Sequence, residues 1–219
     1  LGKEIIFTVK TDLKKITSNR KSICGLKFDN PQIMGALNIT PDSFSDGGLF
    51  FDEAKAYDQA NLMIKNGATI IDVGGESTRP DSKVVNEKDE WDRIKNTIIK
   101  LKKIFPKIPL SLDTRKSQIM KKGIKIGIKL INDVSGLSYD IKSISILKKY
   151  KTPFVINHIK GTPKTMQKKP KYKNVLLDIY DYFEERIKYV RNNNIKHNNI
   201  LLDPGIGFGK NLKHNMNLI

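Results

Sequence analysis

Residues 68–74, ATIIDVG, decide how this chain is read. The run is apolar and β-branched, too short for a helix and bounded by glycines, which suits a strand buried on both faces. Asn66-Gly67 just before it reads as a helix stop. Five further runs of the same kind follow or precede it: Gln32–Asn38, Ile108–Thr114, Lys129–Val134, Pro153–His158 and Ile200–Asp203. Between them lie amphipathic patterns: Trp91, Ile94, Ile98, Leu101 and Phe105 recur at helical spacing, as do Leu176, Ile179, Phe183, Ile187 and Val190. Asn86 with Asp89 forms a capped start for the first of these. Alternating strands and helices imply α/β architecture with parallel strands and right-handed crossovers, either doubly wound or a (β/α) barrel. No reversal of strand order is legible. Residues 1–30 break the alternation and read as an N-terminal extension with a strand or hairpin cap, ahead of one domain over 31–219.

The chain has 219 residues and a net charge of +17, which raises nucleic acid as a partner. Only six of its 40 basic residues are Arg, the side chain suited to bidentate phosphate and base recognition. The lysines are scattered over helices and loops without interleaved aromatics, so the charge reads as solvated surface and no nucleic acid is expected. No apolar run approaches the ~20 residues of a membrane helix, and no membrane partner is expected. The opening LGKEIIFTVKTDLKK lacks the apolar core and small-residue cleavage site of a signal peptide. A single cysteine, Cys24, excludes an intrachain disulfide framework and fits a reducing, cytoplasmic location.

Five of the six strand-like runs carry a hydrogen-bonding residue near the C-terminal end: Asn38, Asp72, Asp113, Asn132 and Asp203. One buried carboxylate in a strand is ordinarily a satisfied structural group. Five amides and acids at equivalent ends are a pattern, because an unpaired buried polar group costs a few kcal/mol. In parallel α/β proteins those ends converge on one face, where sites form. Asp offers acceptors and Asn a donor beside an acceptor, a set that matches the amino group, ring N–H and carbonyl of an aminopyrimidine edge. His158, His197 and His214 have no ligand-like spacing, whereas a hard, oxygen-liganded Mg²⁺ at Asn38 is compatible, above all with a shared phosphate. Residues 74–80, GGESTRP, add two hydroxyls and Arg79, a set suited to an anion. Residues 38–48, NITPDSFSDGG, form a long lysine-free segment of turn formers and carboxylates.

Six motifs, MGALNITPDSFSDGG, GATIIDVGGESTRP, SLDTRK, INDVSGL, GTPKTMQ and LLDPGIGFGKN, stand in the order and spacing of bacterial dihydropteroate synthases, which the chain resembles over roughly residues 20–219. The resemblance implies a (β/α)8 TIM barrel, of which about six strand–helix units are present. It implies the folate-pathway reaction joining 4-aminobenzoate to (7,8-dihydropterin-6-yl)methyl diphosphate, releasing pyrophosphate. Carried over by motif, Asn38 would bind Mg²⁺ and the leaving pyrophosphate. Asp113, Asn132 and Asp203 would hold the pterin edge, and Thr78 the pterin diphosphate. Phe44 and Pro80 would help wall the pocket for 4-aminobenzoate, which sulfonamides imitate, and Phe208 would also bind substrate. Asp46 and Arg79 are the catalytic candidates. Segment 38–48 looks like the first mobile loop of the family, closing over a cation at the pterin methylene; carboxylates such as Asp46 would stabilise that charge where lysines would oppose it. Full-length members are commonly homodimeric.

Three departures from the family stand out. Pro80-Asp81 replaces the usual Pro-Gly, and Asn157 stands where a Met usually lines the pterin pocket. The sequence also stops after the sixth strand, short of the family's Lys on strand seven and Arg-x-His on strand eight. The expectation is an incomplete copy of a longer protein, since a barrel of this kind takes about 250 residues, and the 219 residues alone should bind weakly and turn over slowly. The competing readings are a truncated, inactive pseudoenzyme and a basic nucleic-acid-binding protein.

Overall fold

The computed structural model of the chain describes residues 21–40, 48–77, 82, 84–161, 165–166 and 170–219. Six strands alternate with helices: β1 (Met34–Asn38), α1 (Gly48–Lys65), β2 (Ile70–Gly74), α2 (Glu87–Ile104), β3 (Leu110–Asp113), α3 (Ser117–Ile126), β4 (Leu130–Asp133), α4 (Ser143–Tyr150), β5 (Phe154–Asn157), α5 (Val175–Asn192), β6 (Ile200–Asp203) and α6 (Leu212–Met216). The six expected strands are all present, the first five trimmed at one or both ends and the sixth, Ile200–Asp203, with the expected bounds.

The strands form one sheet in the order β1-β2-β3-β4-β5-β6, with every neighbouring pair parallel. A doubly wound sheet reverses its strand order where the second half begins. Here each strand adds to the same side of the one before it, which is how a (β/α) barrel is wound. Among the described residues β1 and β6 are the two edges, so the sheet is an open arc of six barrel units. This explains one difference from the expectation of strands buried on both faces. The central strand β2 is buried at all five positions, whereas Met34, Ala36 and Asn38 of β1 are exposed and Leu202 of β6 is 45% exposed.

Period-2 alternation sorts the side chains into two faces. Leu37, Ile71, Val73, Leu110, Leu112, Ile131, Phe154 and Ile156 form the outer face and pack with Ile94, Ile98 and Leu101 of α2 and Ile119 and Met120 of α3. Each fully buried Leu or Ile contributes about 1.5–3 kcal/mol. The helix starts follow the residue types: Asn86 Oδ1 accepts from Asp89 N at 2.9 Å at the head of α2, and Asn174 Oδ1 accepts from Leu176 N and Leu177 N at the head of α5. On α5 the buried stripe runs from Val175 through Ile179 to Val190, while Leu176, expected on it, is 53% exposed. One residue turns a helix by about 100°, so a stripe starting at Val175 leaves Leu176 to solvent.

The inner face is apolar only at its base. Ile70, Leu130 and Val155 pack there with Leu201 and with Cys24 and Leu26 from the tight 23–26 hairpin. Cys24 Sγ donates to Lys129 O at 3.0 Å, and burial pushes its thiol up to about 11. The base is therefore plugged by residues 23–26, and polar groups of the inner face gather at the strands' C-terminal ends.

Gly123 of α3 sits so close to the sheet that a Cβ there would lie 2.5 Å from Leu112 Cδ2, so this packing has no slack. Leu112→Ala should cost roughly 2–5 kcal/mol through lost burial and an uncollapsed cavity, read as a lower denaturant midpoint at unchanged slope.

Candidate active site

The strand registers place Asn38, Gly74, Asp113 and Asn132 side by side in one row across β1–β4. Asn157 and Asp203 are paired in the same way on β5 and β6. Gly74 is the gap in the row: a Cβ there would lie 3.3 Å from Asn38 Oδ1 and 3.4 Å from Asp113 Oδ2. The absence of a side chain at this position lets two oxygen-bearing groups flank a common space.

Two amides are spent on carboxylates. Asn132 Nδ2 donates to Asp72 Oδ2 at 2.8 Å, and Asn157 Nδ2 donates to Asp203 Oδ2 at 3.0 Å. Asp203 is held at its other oxygen as well, by Gly205 N at 2.7 Å. Three buried oxygens at the strand ends, Asp72 Oδ1, Asn132 Oδ1 and Asn157 Oδ1, have no hydrogen-bond partner among the described residues, and neither has Ser111 Oγ, the buried hydroxyl in register with Asp72. Leaving a buried acceptor unmade costs about 1–3 kcal/mol, and one hydroxyl against three acceptors leaves the strand ends short of donors.

The electrostatics point the same way. Burial, then the neighbouring charges of Asp72, Asp133, Glu90 and Glu76, hold the Asp113 carboxyl well above the usual carboxylate range. Burial also raises Asp72. Asp133, one residue past Asn132, points to the other face. There it accepts from Ser135 N at 2.8 Å, Ser135 Oγ at 2.6 Å and Leu137 N at 3.2 Å, and burial pushes it up to about 6. The INDVSGL motif thus divides its work: Asn132 belongs to the site and Asp133 ties down the turn that follows.

Beside the row lies a charged network that the sequence reading missed. Glu76 receives Arg115 in a two-pronged contact, Nε to Oε2 and Nη2 to Oε1, both at 3.0 Å, while Lys116 Nζ adds a third bond at 3.0 Å and Val85 N a fourth at 3.0 Å. Lys116 also pairs with Glu90 of α2, which accepts from Thr114 Oγ1 at 2.5 Å. Arg115 lies over the Tyr139 ring at 4.0 Å. These contacts join the end of β2 to the end of β3, and Glu76 lies within the GGESTRP segment, immediately before Ser77. Nothing local marks the ion pairs in the sequence, since their charged partners are 26 to 40 residues apart.

Of the predicted site residues, Asn38, Asp113, Asn132 and Asp203 come together at the strand ends, and Phe208 lies on the loop after β6, where its amide donates to Gly205 O at 2.9 Å. Phe44, Asp46, Thr78, Arg79 and Pro80 lie outside the described residues, as does Asp81. Among the described residues no three His, Cys, Asp or Glu side chains gather into a metal-binding set. The oxygen at hand for a hard cation is the exposed side chain of Asn38, a neutral donor that suits a cation bringing its own phosphate and water ligands. No helix among the described residues is long and apolar enough to cross a membrane.

An acceptor-rich row of strand ends with unmet oxygens fits a flat heterocycle presenting N–H groups along one edge. Residues 34–219 match the family described as pterin binding enzyme. The dihydropteroate synthase of Escherichia coli K12 is 42% identical over 194 residues, covering 89% of this chain and 68% of that protein. A crystal structure of the Yersinia pestis dihydropteroate synthase with a sulfonamide drug superposes with a TM-score of 0.82 at 40% identity, covering 90% of this chain and 72% of the other. The Xanthomonas albilineans enzyme with 4-aminobenzoic acid superposes at 0.83 and 34% identity, covering 92% and 72%.

The Glu76 network makes a quantitative demand. Lys116→Met would strand the buried charge of Glu90 and should cost roughly 3–5 kcal/mol, measured by chemical denaturation. Adding Glu90→Gln, which removes the stranded charge, should recover part of that loss; an additive double variant would contradict the pairing.

Proposed function

The chain belongs to the dihydropteroate synthases, pterin-binding enzymes, and from that premise we propose that it joins 4-aminobenzoate to (7,8-dihydropterin-6-yl)methyl diphosphate in folate biosynthesis. The observation that carries the reading is the deficit of donors at the strand ends. Asp203, Asn132 and Asp113, with the unmet oxygens of Asp72, Asn132 and Asn157, are what the amino group and ring N–H of a pterin would satisfy.

The reaction asks for an electrophilic carbon, a leaving group and an amine. The amine nitrogen forms a bond to the pterin methylene carbon, the carbon–oxygen bond breaks, pyrophosphate leaves with the electron pair, and the new ammonium loses its proton. The residues' share is chiefly positioning and charge. Asp203, fixed at both oxygens by Asn157 and Gly205, presents an oriented carboxylate to the pterin edge. Asp113 sits in an environment that disfavours its charge, so an N–H donor arriving there gains a partner and favours ionisation. Carboxylates near the methylene favour positive charge on that carbon, the role we assign to Asp46. Thr78 and Arg79 would meet the diphosphate, and Phe44, Pro80 and Phe208 the 4-aminobenzoate ring.

A Mg²⁺ ion, when bound, would neutralise charge on the departing pyrophosphate, and Asn38 is the residue that would hold it. A cytoplasmic site of action fits the single cysteine, half-buried and pushed to the unreactive side by burial.

The test is direct. Incubated with both substrates and Mg²⁺, the chain should form dihydropteroate and pyrophosphate in equal amounts above a protein-free blank. Asp203→Asn should lower kcat/KM by about 10- to 100-fold, the worth of a hydrogen bond to a charged acceptor. Asp46→Ala should lower kcat with little change in the KM for 4-aminobenzoate. Absence of dihydropteroate, or an unaffected Asp46→Ala, would overturn the corresponding assignment.

A further inference from the structure

On the segment that follows β6 is a buried cation that the reaction as described does not use. Lys210 is 3% exposed, and its ammonium is met by four acceptors: Gly205 O at 2.8 Å, Phe208 O at 2.9 Å, His158 Nδ1 at 3.0 Å and His158 O at 3.3 Å. Three N–H donors are shared among four acceptors, which is the surrounding of a small cation in an oxygen-rich cage rather than of a salt-bridged lysine. No carboxylate is among them.

The cage is made of the loop that carries two substrate-binding residues. Gly205 takes φ +66°, and a Cβ there would lie 2.1 Å from His158 O, so the loop lies flat against the residue leaving β5. That same Gly205 donates its amide to Asp203 Oδ1, and Phe208 N returns to Gly205 O. His158 is packed edge-on against Tyr182 at 4.8 Å, and Tyr172 hydroxyl donates to Gly209 O at 2.8 Å. Burial, then the ammonium of Lys210, lowers His158 to about 4, so the ring is neutral at neutral pH, and the ammonium, which can only donate, gives Nδ1 the acceptor role. The carbonyls of Gly205 and Phe208 thus turn inward to one point, and the two residues flanking that turn are Asp203 and the Phe208 side chain.

We propose that Lys210 is a positioning residue, a tethered internal cation around which the loop from Asp203 to Lys210 folds, and which thereby sets the Asp203 carboxylate and the Phe208 ring for substrate. The proposal rests on the substrate-binding reading of those two residues. Removing the cation turns at least three carbonyl and ring acceptors toward each other with no donor between them. The loop must then open, and Gly205 N leaves Asp203.

The test is Lys210→Ala in the full chain, titrated with 6-hydroxymethylpterin, alone and with 100 mM ammonium chloride or tetramethylammonium chloride. Binding should weaken at least tenfold. Ammonium, which fits the vacated point, should restore most of it, and tetramethylammonium, which does not fit, should restore none. Lys210→Gln, which keeps a donor without the charge, should fall between. Unchanged binding by Lys210→Ala, or a loss that ammonium leaves untouched, would overturn the proposal. Amide exchange is read alongside. Gly205 and Phe208 should exchange faster in Lys210→Ala and slow again with ammonium, while amides of β2 and β3 stay protected. General loss of protection in both variants would mean that Lys210 holds the whole fold, and would overturn a role confined to the loop. If the parent chain fails to bind the pterin, the functional reading fails, and exchange at Gly205 and Phe208 alone then decides the loop claim.

Discussion

Everything in this structure turns on the cost of placing carboxylates at the mouth of a parallel sheet with too few donors to satisfy them. Asp72 and Asp113 are driven above their usual range by burial and, at Asp113, by one another's charge. A core built only for stability would place apolar side chains there, as the base of the same inner face does with Ile70, Leu130, Val155 and Leu201. The fold tolerates the polar row because the outer face, from Leu37 to Ile156, and its helices supply the burial that holds the strands together. The deficit is concentrated where a ligand's N–H groups can meet it.

Around the row, charge is used in two different ways. The Glu76–Arg115–Lys116–Glu90 network pairs every charge and welds the roots of two loops, so it spends its electrostatics on rigidity. The Lys210 cage pairs a cation with carbonyls and a neutral imidazole, leaving the nearby Asp203 carboxylate to Asn157 and Gly205. Had Lys210 reached Asp203 directly, the carboxylate would be neutralised from within and less available to a ligand. Separating the loop-forming cation from the ligand-binding anion keeps both functions.

Much of this was legible in the sequence because it is written in local patterns. Short apolar runs mark all six strands, five of them with an Asp or Asn near the end, and Asn86 is a visible cap. The choice between doubly wound and barrel winding was not legible from pattern alone, since strand order is a tertiary property; the sequential order of the sheet decides it. Asn157 was noticed only as an unusual polar residue, while its partner Asp203 lies 46 residues away. The Glu76 network and the Lys210 cage were missed for the same physical reason. Their partners meet only once parallel strands bring distant loops to one end, and a lysine in a Gly-rich run looks like any other among 40 basic residues.

The central claim is that the strand-end oxygens recognise a pterin by its N–H edge. Its most direct measurement is calorimetric binding of 6-hydroxymethylpterin beside an analogue that lacks only the 2-amino group. A site short of donors should bind the analogue about 10- to 100-fold more weakly, because acceptors it cannot reach remain buried and unmade. Equal affinity for the two would contradict the account, since the unmet oxygens would then have no part in recognition.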